Sequence, residues 1–402
     1  MRTVLALGRH DAGEVDAYHG PPAWKVEADS AAPVPLETLA HRADSLADAA
    51  DAVVLGHAEE LLIQRQHFLA RQLRAVAARA RMMNGRKMTF DEESKALYDV
   101  VAPQIADSTI DATLAELDRV VPGTGSLAER WNQYRDRFII PRARIDTVFR
   151  AAINECRART LKHIPLPSTE HFTVEYVDNP AWGGYNWYKG EFTSLIQVNV
   201  GLPVYIDRAI DLAAHEGYPG HHVYNGLLES ELVKKHGWVE YSIYPLFAPQ
   251  SLMAEGTANF GIDVVFPDSE KVLFERDVLY PLAGIDTARA RPYRAALAAM
   301  EKLRAVGVEG ARRYLDGRMS RDSTVKWLVR CTLSTPERAQ RSVNFDEKYR
   351  SYVVNYSVGQ ELVRGWVERR AGGDPERRWK VFEGLLASPR LPSDLQEPLA
   401  TH

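Results

Sequence analysis

"DLAAHEGYPGHHVYNG", residues 211–226, is the stretch on which the reading of this chain turns. His215 is followed at once by Glu216, as in the short zinc-hydrolase motif H-E-x-x-H, whose second histidine lies four residues on and shares the helix face of the first. Here position 219 is a proline, and the next histidines are His221 and His222. Successive helical residues rotate by about 100°, so on a regular helix His221 points about 120° away from His215, while His222 returns to its face. A regular helix is excluded, because Pro219 has no N–H and its ring collides with the carbonyl of His215. Gly220 then admits backbone conformations that other residues resist. Pro-Gly therefore predicts a local bulge, a feature often found at functional sites, after which the helix resumes. Such a bulge brings His221 to the position of a second metal ligand, with His222 as the alternative.

A third ligand is needed, and zinc sites on this motif commonly take a glutamate from a following helix, leaving one position for water. The stretch "SLMAEGTANFGIDVVF", 251–266, is helical in its apolar spacing and carries Glu255 among apolar neighbours. A carboxylate in such surroundings needs a partner, either a metal or a local cap or ion pair. One turn on, Asn259 is spaced to hydrogen-bond a ligand histidine from behind and fix its tautomer. The expected cofactor is one Zn2+.

Composition bounds the rest. The 402 residues carry a net charge of −4, with 45% hydrophobic and 26% charged residues, which is ordinary for a globular chain. Basic residues are dispersed, so no nucleic-acid footprint stands out, and the cluster from Arg289 to Arg294 reads as a solvated helix start. No apolar run approaches the roughly 18 residues of a membrane span. The apolar run Val4 to Leu7 is too short for a signal peptide, so a cytoplasmic location is expected. Cys156 and Cys331 are the two cysteines, too few for a disulfide framework or a cysteine-based zinc site.

The chain reads as mainly α, with one β island. A wrapping segment is expected over 1–34, a helical lobe over 35–165, a metal-site core over 166–387 and a tail over 388–402, all parts of one catalytic body. Within the lobe, apolar spacing predicts one helix from Leu36 to Met83 and others over 91–101, 109–120, 126–138 and 141–164. Asp91 and Ser126 are the expected caps, and Pro141 fits a first helical turn. Over 172–200, "FTVEYV" and "TSLIQVNV" are β-branched and aromatic.

These motifs resemble those of the domain-of-unknown-function family 885, bacterial relatives of the glutamate-zincin metallopeptidases, which carry H-E-x-x-P-G-H and, after a helix, E-G-x-A. They occur here as His215 to His221 and as Glu255-Gly256-Thr257-Ala258. The stretch from Val15 to Pro22, "VDAYHGPP", and "YRSYVVNYSVGQELV" at 349–363 are similar as well. The resemblance implies a largely helical body with a groove over the metal, a short sheet along that groove, and hydrolysis of a small peptide or amide. It matches His215, His221 and Glu255 to the metal positions and Glu216 to the general base.

The expected chemistry follows. Zinc lowers the pKa of a bound water from 15.7 toward about 7, and Glu216 takes its proton and passes it to the leaving amine. Tyr352 and Tyr356, one turn apart, are candidate oxyanion donors, and Arg350 is a candidate clamp for a substrate carboxylate. In "WGGYNWYKGEFTSLIQVNV", Gly183 and Gly184 permit close backbone approach and Tyr185 walls a pocket, so the stretch reads either as an edge strand that pairs with an extended substrate or as a covered hairpin packed on the helices. Two other readings use the same residues. Two histidines and a carboxylate also hold non-heme iron in oxygenases, though Glu216 has no task in that chemistry. A non-catalytic protein would close a structural metal with a fourth ligand, for which His222 is the nearby candidate.

Overall fold

The computed structural model describes residues 1–56, 58–178 and 182–396, and the chain is mainly helical with two small sheets. The last part of the expected tail, 397–402, lies outside the described residues, as does 179–181 of the loop between the first two strands of the island. No helix among the described residues is long and apolar enough to cross a membrane.

The expected helix over 36–83 is two, Leu36–Asp51 and Glu60–Met83. Apolar spacing continues through Val53-Val54-Leu55, but the Gln66 amide donates at 2.7 Å to the carbonyls of Ala50 and Val53 and ends the first helix. Gly56, at φ +55°, turns the chain. Alanines 40 and 43 of the first helix then pack with Ala77 and Ala80 of the second. Val4, Leu5 and Leu7 of the Arg2–Leu7 helix join that layer, so the N-terminal apolar run is part of the core.

Cap chemistry decides the next boundaries. Ser126 caps Leu127–Arg135 with a reciprocal bond to Glu129, as expected. The expected cap Asp91 instead lies in the first turn of Phe90–Tyr98, where it pairs with Arg312 at 2.9 Å. Thr89 is the cap, closing a capping box with Glu92. Pro141 precedes a short 3-10 turn, Arg142–Arg144, and the long helix runs over Ile145–Thr160.

The β island is a three-stranded sheet. Strand β1, Val15–Tyr18, lies before it in the chain; the island itself holds β2, His171–Val177, β3, Gly184–Gly190, and β4, Thr193–Asn199. Strand β4 is central, parallel to β2 and antiparallel to β3, which leaves β3 an edge. A second, two-stranded sheet pairs β1 antiparallel with β5, Ile243–Pro245. The supposed wrapping segment therefore contributes a strand.

Two helices that frame the site, Pro249–Val265 and Val354–Ala371, cross where a glycine meets a glycine. A Cβ on Gly256 would lie 2.7 Å from the carbonyl of Gly359, so the backbones approach more closely than any side chain allows. This contact sets Glu255, the residue before Gly256, against the turn that carries Tyr352.

Candidate metal centre

The bulge expected from Pro219-Gly220 is present. A helix over Asp207–Leu212 widens into a π-turn over Ala213–Gly217, leaves helical geometry at Tyr218, and resumes as His221–Leu227. The widened turn is bonded from Tyr218 N–H to the Ala213 carbonyl at 3.1 Å and from Gly220 N–H to the Ala214 carbonyl at 2.9 Å. Pro219 follows a cis peptide bond and, lacking an N–H, leaves no donor unsatisfied here. A Cβ at Gly220 would lie 1.9 Å from the His215 carbonyl, so only glycine fits. The extra residues of the bulge remove the mismatch of a regular helix, and the rings of His215 and His221 stand 4.7 Å apart.

His222 faces the other way. It is fully buried, with Nδ1 2.8 Å from Ser194 Oγ and Nε2 3.3 Å from Glu170 Oε2. Both ring nitrogens are engaged in packing β4 and the β2 approach onto the helix, so the pair His215 and His221 is the one that converges.

Glu255 completes the convergence. Its Oε2 lies 3.3 Å from His215 Nε2 and 3.8 Å from His221 Nε2. The same Oε2 is buried without a hydrogen-bond donor, while Oε1 accepts from the Tyr352 hydroxyl at 3.0 Å. Asn259 Oδ1 stands 3.2 Å from His215 Nδ1. An amide oxygen there favours a proton on Nδ1 and leaves the Nε2 lone pair free, the tautomer a metal ligand needs. An unpartnered buried carboxylate oxygen facing two imidazole nitrogens is a donor set that fits a divalent cation of zinc type.

Glu216 supplies a fourth group, and the donor atoms of His215, Glu216 and His221 all lie within 4.8 Å of one another. The two carboxylates differ in their surroundings. Burial and the Glu255 charge push Glu216 up to about 7, against the opposing pull of His215 and Arg208. Burial also works against the ionised Glu255, but His215, His221 and Tyr352 outweigh it and hold that carboxyl below its usual range. Burial and the neighbouring His215 push His221 down to about 4, so its ring is neutral. Close approach of β3 fixes Glu216: a Cβ on Gly184 would lie 2.9 Å from Glu216 Oε1, and the Asn186 amide donates at 2.7 Å to the Glu216 carbonyl.

A cavity of about 770 Å³ opens over these groups, walled on one side by β3 and on the other by residues of β1 and β5. Gly183, Gly184 and Tyr185 line it as expected, and the Tyr185 hydroxyl bonds Asp16 of β1. Tyr356 lines it too, and its hydroxyl makes no hydrogen bond among the described residues. Tyr352 touches the cavity but is buried and committed to Glu255, which makes it a positioning group for that carboxylate. Arg350 is off the cavity wall: its Nε donates at 2.6 Å to Glu93, a buried carboxylate that also takes the Ser351 N–H and hydroxyl. The expected carboxylate clamp is thus a structural ion pair. Sequence reasoning gave no role to Asp16, Asn186 and Arg208, although Asp16 lies in the N-terminal stretch singled out for its family resemblance.

No protein-family model matches this chain, and no curated protein matches it. Among solved structures it is similar to a "putative lipoprotein" from Colwellia psychrerythraea, with a TM-score of 0.56 and 14% identity over 90% of this chain and 66% of that one. It is also similar to a "putative lipoprotein of unknown function" from Shewanella oneidensis, with a TM-score of 0.46 and 13% identity over 91% of this chain and 76% of that one. The chain spans just under two thirds of the Colwellia protein. At 14% identity the likeness to the Colwellia protein is one of fold alone.

Proposed function

We propose that the chain is a zinc-dependent hydrolase of peptide or amide bonds, related to the family-885 proteins and through them to the glutamate-zincin metallopeptidases. The observation that carries this reading is the donorless, buried Glu255 Oε2 facing His215 Nε2 and His221 Nε2, with the Glu216 carboxyl beside them. His215, His221 and Glu255 would hold the ion, which supplies a Lewis acid that activates water near neutral pH. Glu216 accepts the proton of the attacking water at its carboxylate and returns it to the leaving amine. Tyr356, on the cavity wall with an unengaged hydroxyl, donates to the oxyanion that develops at the substrate carbonyl.

Strand β3 orients the substrate. The Asn199 N–H bonds the Gly183 carbonyl at 2.9 Å, so in the alternating antiparallel ladder Gly184 and Asn186 direct their backbone N–H and C=O groups away from β4. An extended peptide laid along that edge gains those bonds by strand addition, beside Glu216. The structural-metal reading needs His222 as a fourth ligand, and both nitrogens of that ring already have partners. The oxygenase reading leaves the buried Glu216 without a task.

The test is turnover by the zinc-loaded protein on a library of peptides and acyl amides, beside Glu216→Gln. The variant keeps the fold and one zinc per chain but loses at least about 100-fold in turnover, the low end for a general base. Near-parental turnover by the variant would sink the mechanism.

A further inference from the structure

Where the metal-centre cavity reaches Arg208, Asn259 and Tyr356, a second cavity of about 450 Å³ begins that shares those residues. Its wall carries six cationic and four anionic side chains, an excess of positive charge beside a site where a substrate must bind. Some of these cations are committed. Lys271 holds Asp211 at 2.6 Å, and Arg135 holds Asp207 at 3.2 Å. Arg208 stands only 3.5 Å from Asp211, whose charge Lys271 already engages, and it is half-exposed to the cavity. Arg338 has no carboxylate partner among the described residues. Its guanidinium lies 5.3 Å from the centre of the Tyr205 ring, the same ring that Arg135 covers at 4.0 Å.

A partly buried guanidinium crowded by others and lacking a counter-ion is a group that an anion relieves. Burial and the charges of Arg135 and Arg208 all press Arg338 toward losing its proton, against Tyr205 and Asp207. The anion that belongs there is set by distance. Arg208 is seven residues before His215 on the helix that runs into the π-turn, which at about 1.5 Å per residue separates their Cα atoms by about 10 Å. An extended chain covers that distance in about three residues.

We propose that Arg208 and Arg338 form a carboxylate subsite, so that the substrate cleaved at the metal centre carries a carboxylate two to three residues from the scissile bond. The proposal rests on the hydrolase reading for the bond that is cut, but the subsite is tested by binding. Acetyl-trialanine with a free C-terminus, its C-terminal amide, and that amide with aspartate as the last residue are titrated calorimetrically into zinc-loaded Glu216→Gln protein. The free acid binds about 10-fold or more tightly than the trialanine amide, the low end for a hydrogen bond to a charged group, and the advantage shrinks as salt rises. Tight binding by the aspartyl amide assigns the subsite to an acidic side chain, and weak binding by it assigns the subsite to a chain terminus. Arg338→Gln and Arg208→Gln each erode the preference for the free acid over the trialanine amide. Arg208, on the half-exposed side, carries the test if the Arg338 variant does not fold. Equal binding by all three peptides, binding by none, or a preference that survives both substitutions would overturn the subsite. Turnover of neutral amides alongside equal binding would leave the hydrolase reading standing without it, whereas a carboxylate preference lost in both variants with no turnover would do the reverse.

Discussion

Replacing Tyr352 and Tyr356 one at a time by Phe separates two roles that chain spacing alone treats as equal. Tyr352→Phe removes the donor 3.0 Å from Glu255 Oε1 and leaves that buried carboxylate only the two imidazoles that face Oε2. The ring itself keeps its contacts with Tyr98, Phe345 and Phe247, whose centres lie 5.9, 6.3 and 6.5 Å away, so packing changes little. A hydrogen bond to a charged group contributes about 1.5–3 kcal/mol. That loss appears in full in the stability of the metal-free protein. In zinc affinity only the orienting part appears, about 10-fold and at most about 100-fold, as for other partners of metal ligands. Tyr356→Phe removes a hydroxyl with no hydrogen-bond partner among the described residues, so affinity and stability stay at the parental level while turnover falls by about 100-fold or more. Competition for zinc against a chromophoric chelator and denaturant unfolding of the metal-free proteins measure the two effects. Parental affinity and stability in Tyr352→Phe, or a loss of zinc in Tyr356→Phe, would refute the assignment of roles.

Three further outcomes are expected. Alanine at His215, His221 or Glu255 abolishes stoichiometric zinc, whereas His222→Ala retains it and loses stability instead. Metal analysis of the four purified variants decides this, and an empty site in His222→Ala alone would mean that the bulge had been misread. Arg350→Ala lowers the unfolding free energy by about 1.5–3 kcal/mol, because it removes a charged donor from the buried Glu93 carboxylate and leaves that carboxylate to Ser351 alone; a raised KM with unchanged stability would restore Arg350 to the substrate. Glu170 gives a pH signature. Burial opposes its ionisation, yet His222, Tyr218 and Arg157 outweigh it and hold the carboxyl at about 2. A depressed carboxyl stabilises the fold above its unfolded value of about 4.5 and loses that contribution as pH falls toward 2, an amount of about 2–3 kcal/mol. The stability gap between the parent and Glu170→Gln is therefore constant above about pH 5.5 and narrows below, and a gap that ignores pH would count against the network.

What could be read from the sequence divides along the line between local and distant causes. Pro219 and Gly220 act on their own backbone, so the bulge and the convergence of His221 rather than His222 follow from chemistry within a few residues. Ser126 caps its helix for the same local reason, and Thr89 was equally legible as the first residue of a T-x-x-E box that ends on Glu92. The break between Asp51 and Glu60 was not legible, because the side chain that ends the first helix, Gln66, belongs to the second. Strand β1 was too short to announce itself, and it exists through its pairing with β5, far along the chain.

The same division explains the site. Glu255 meets the histidines because Gly256 and Gly359 let two distant helices touch, so its neighbour Gly256 matters to the candidate metal centre through packing and not through chemistry of its own. Tyr352 and Tyr356 part company because Tyr352 sits in the 3-10 turn after Arg350, at φ +54°, while Tyr356 lies inside the following helix. That turn is anchored by Glu93, which takes Arg350 and Ser351 together. The arginine that looked like a substrate clamp therefore helps to place the tyrosine that bonds Glu255. Where a carboxylate clamp is needed, the geometry offers Arg208 and Arg338 instead, and neither stands out in the sequence, since they lie on helices far apart in the chain and come together only at the second cavity.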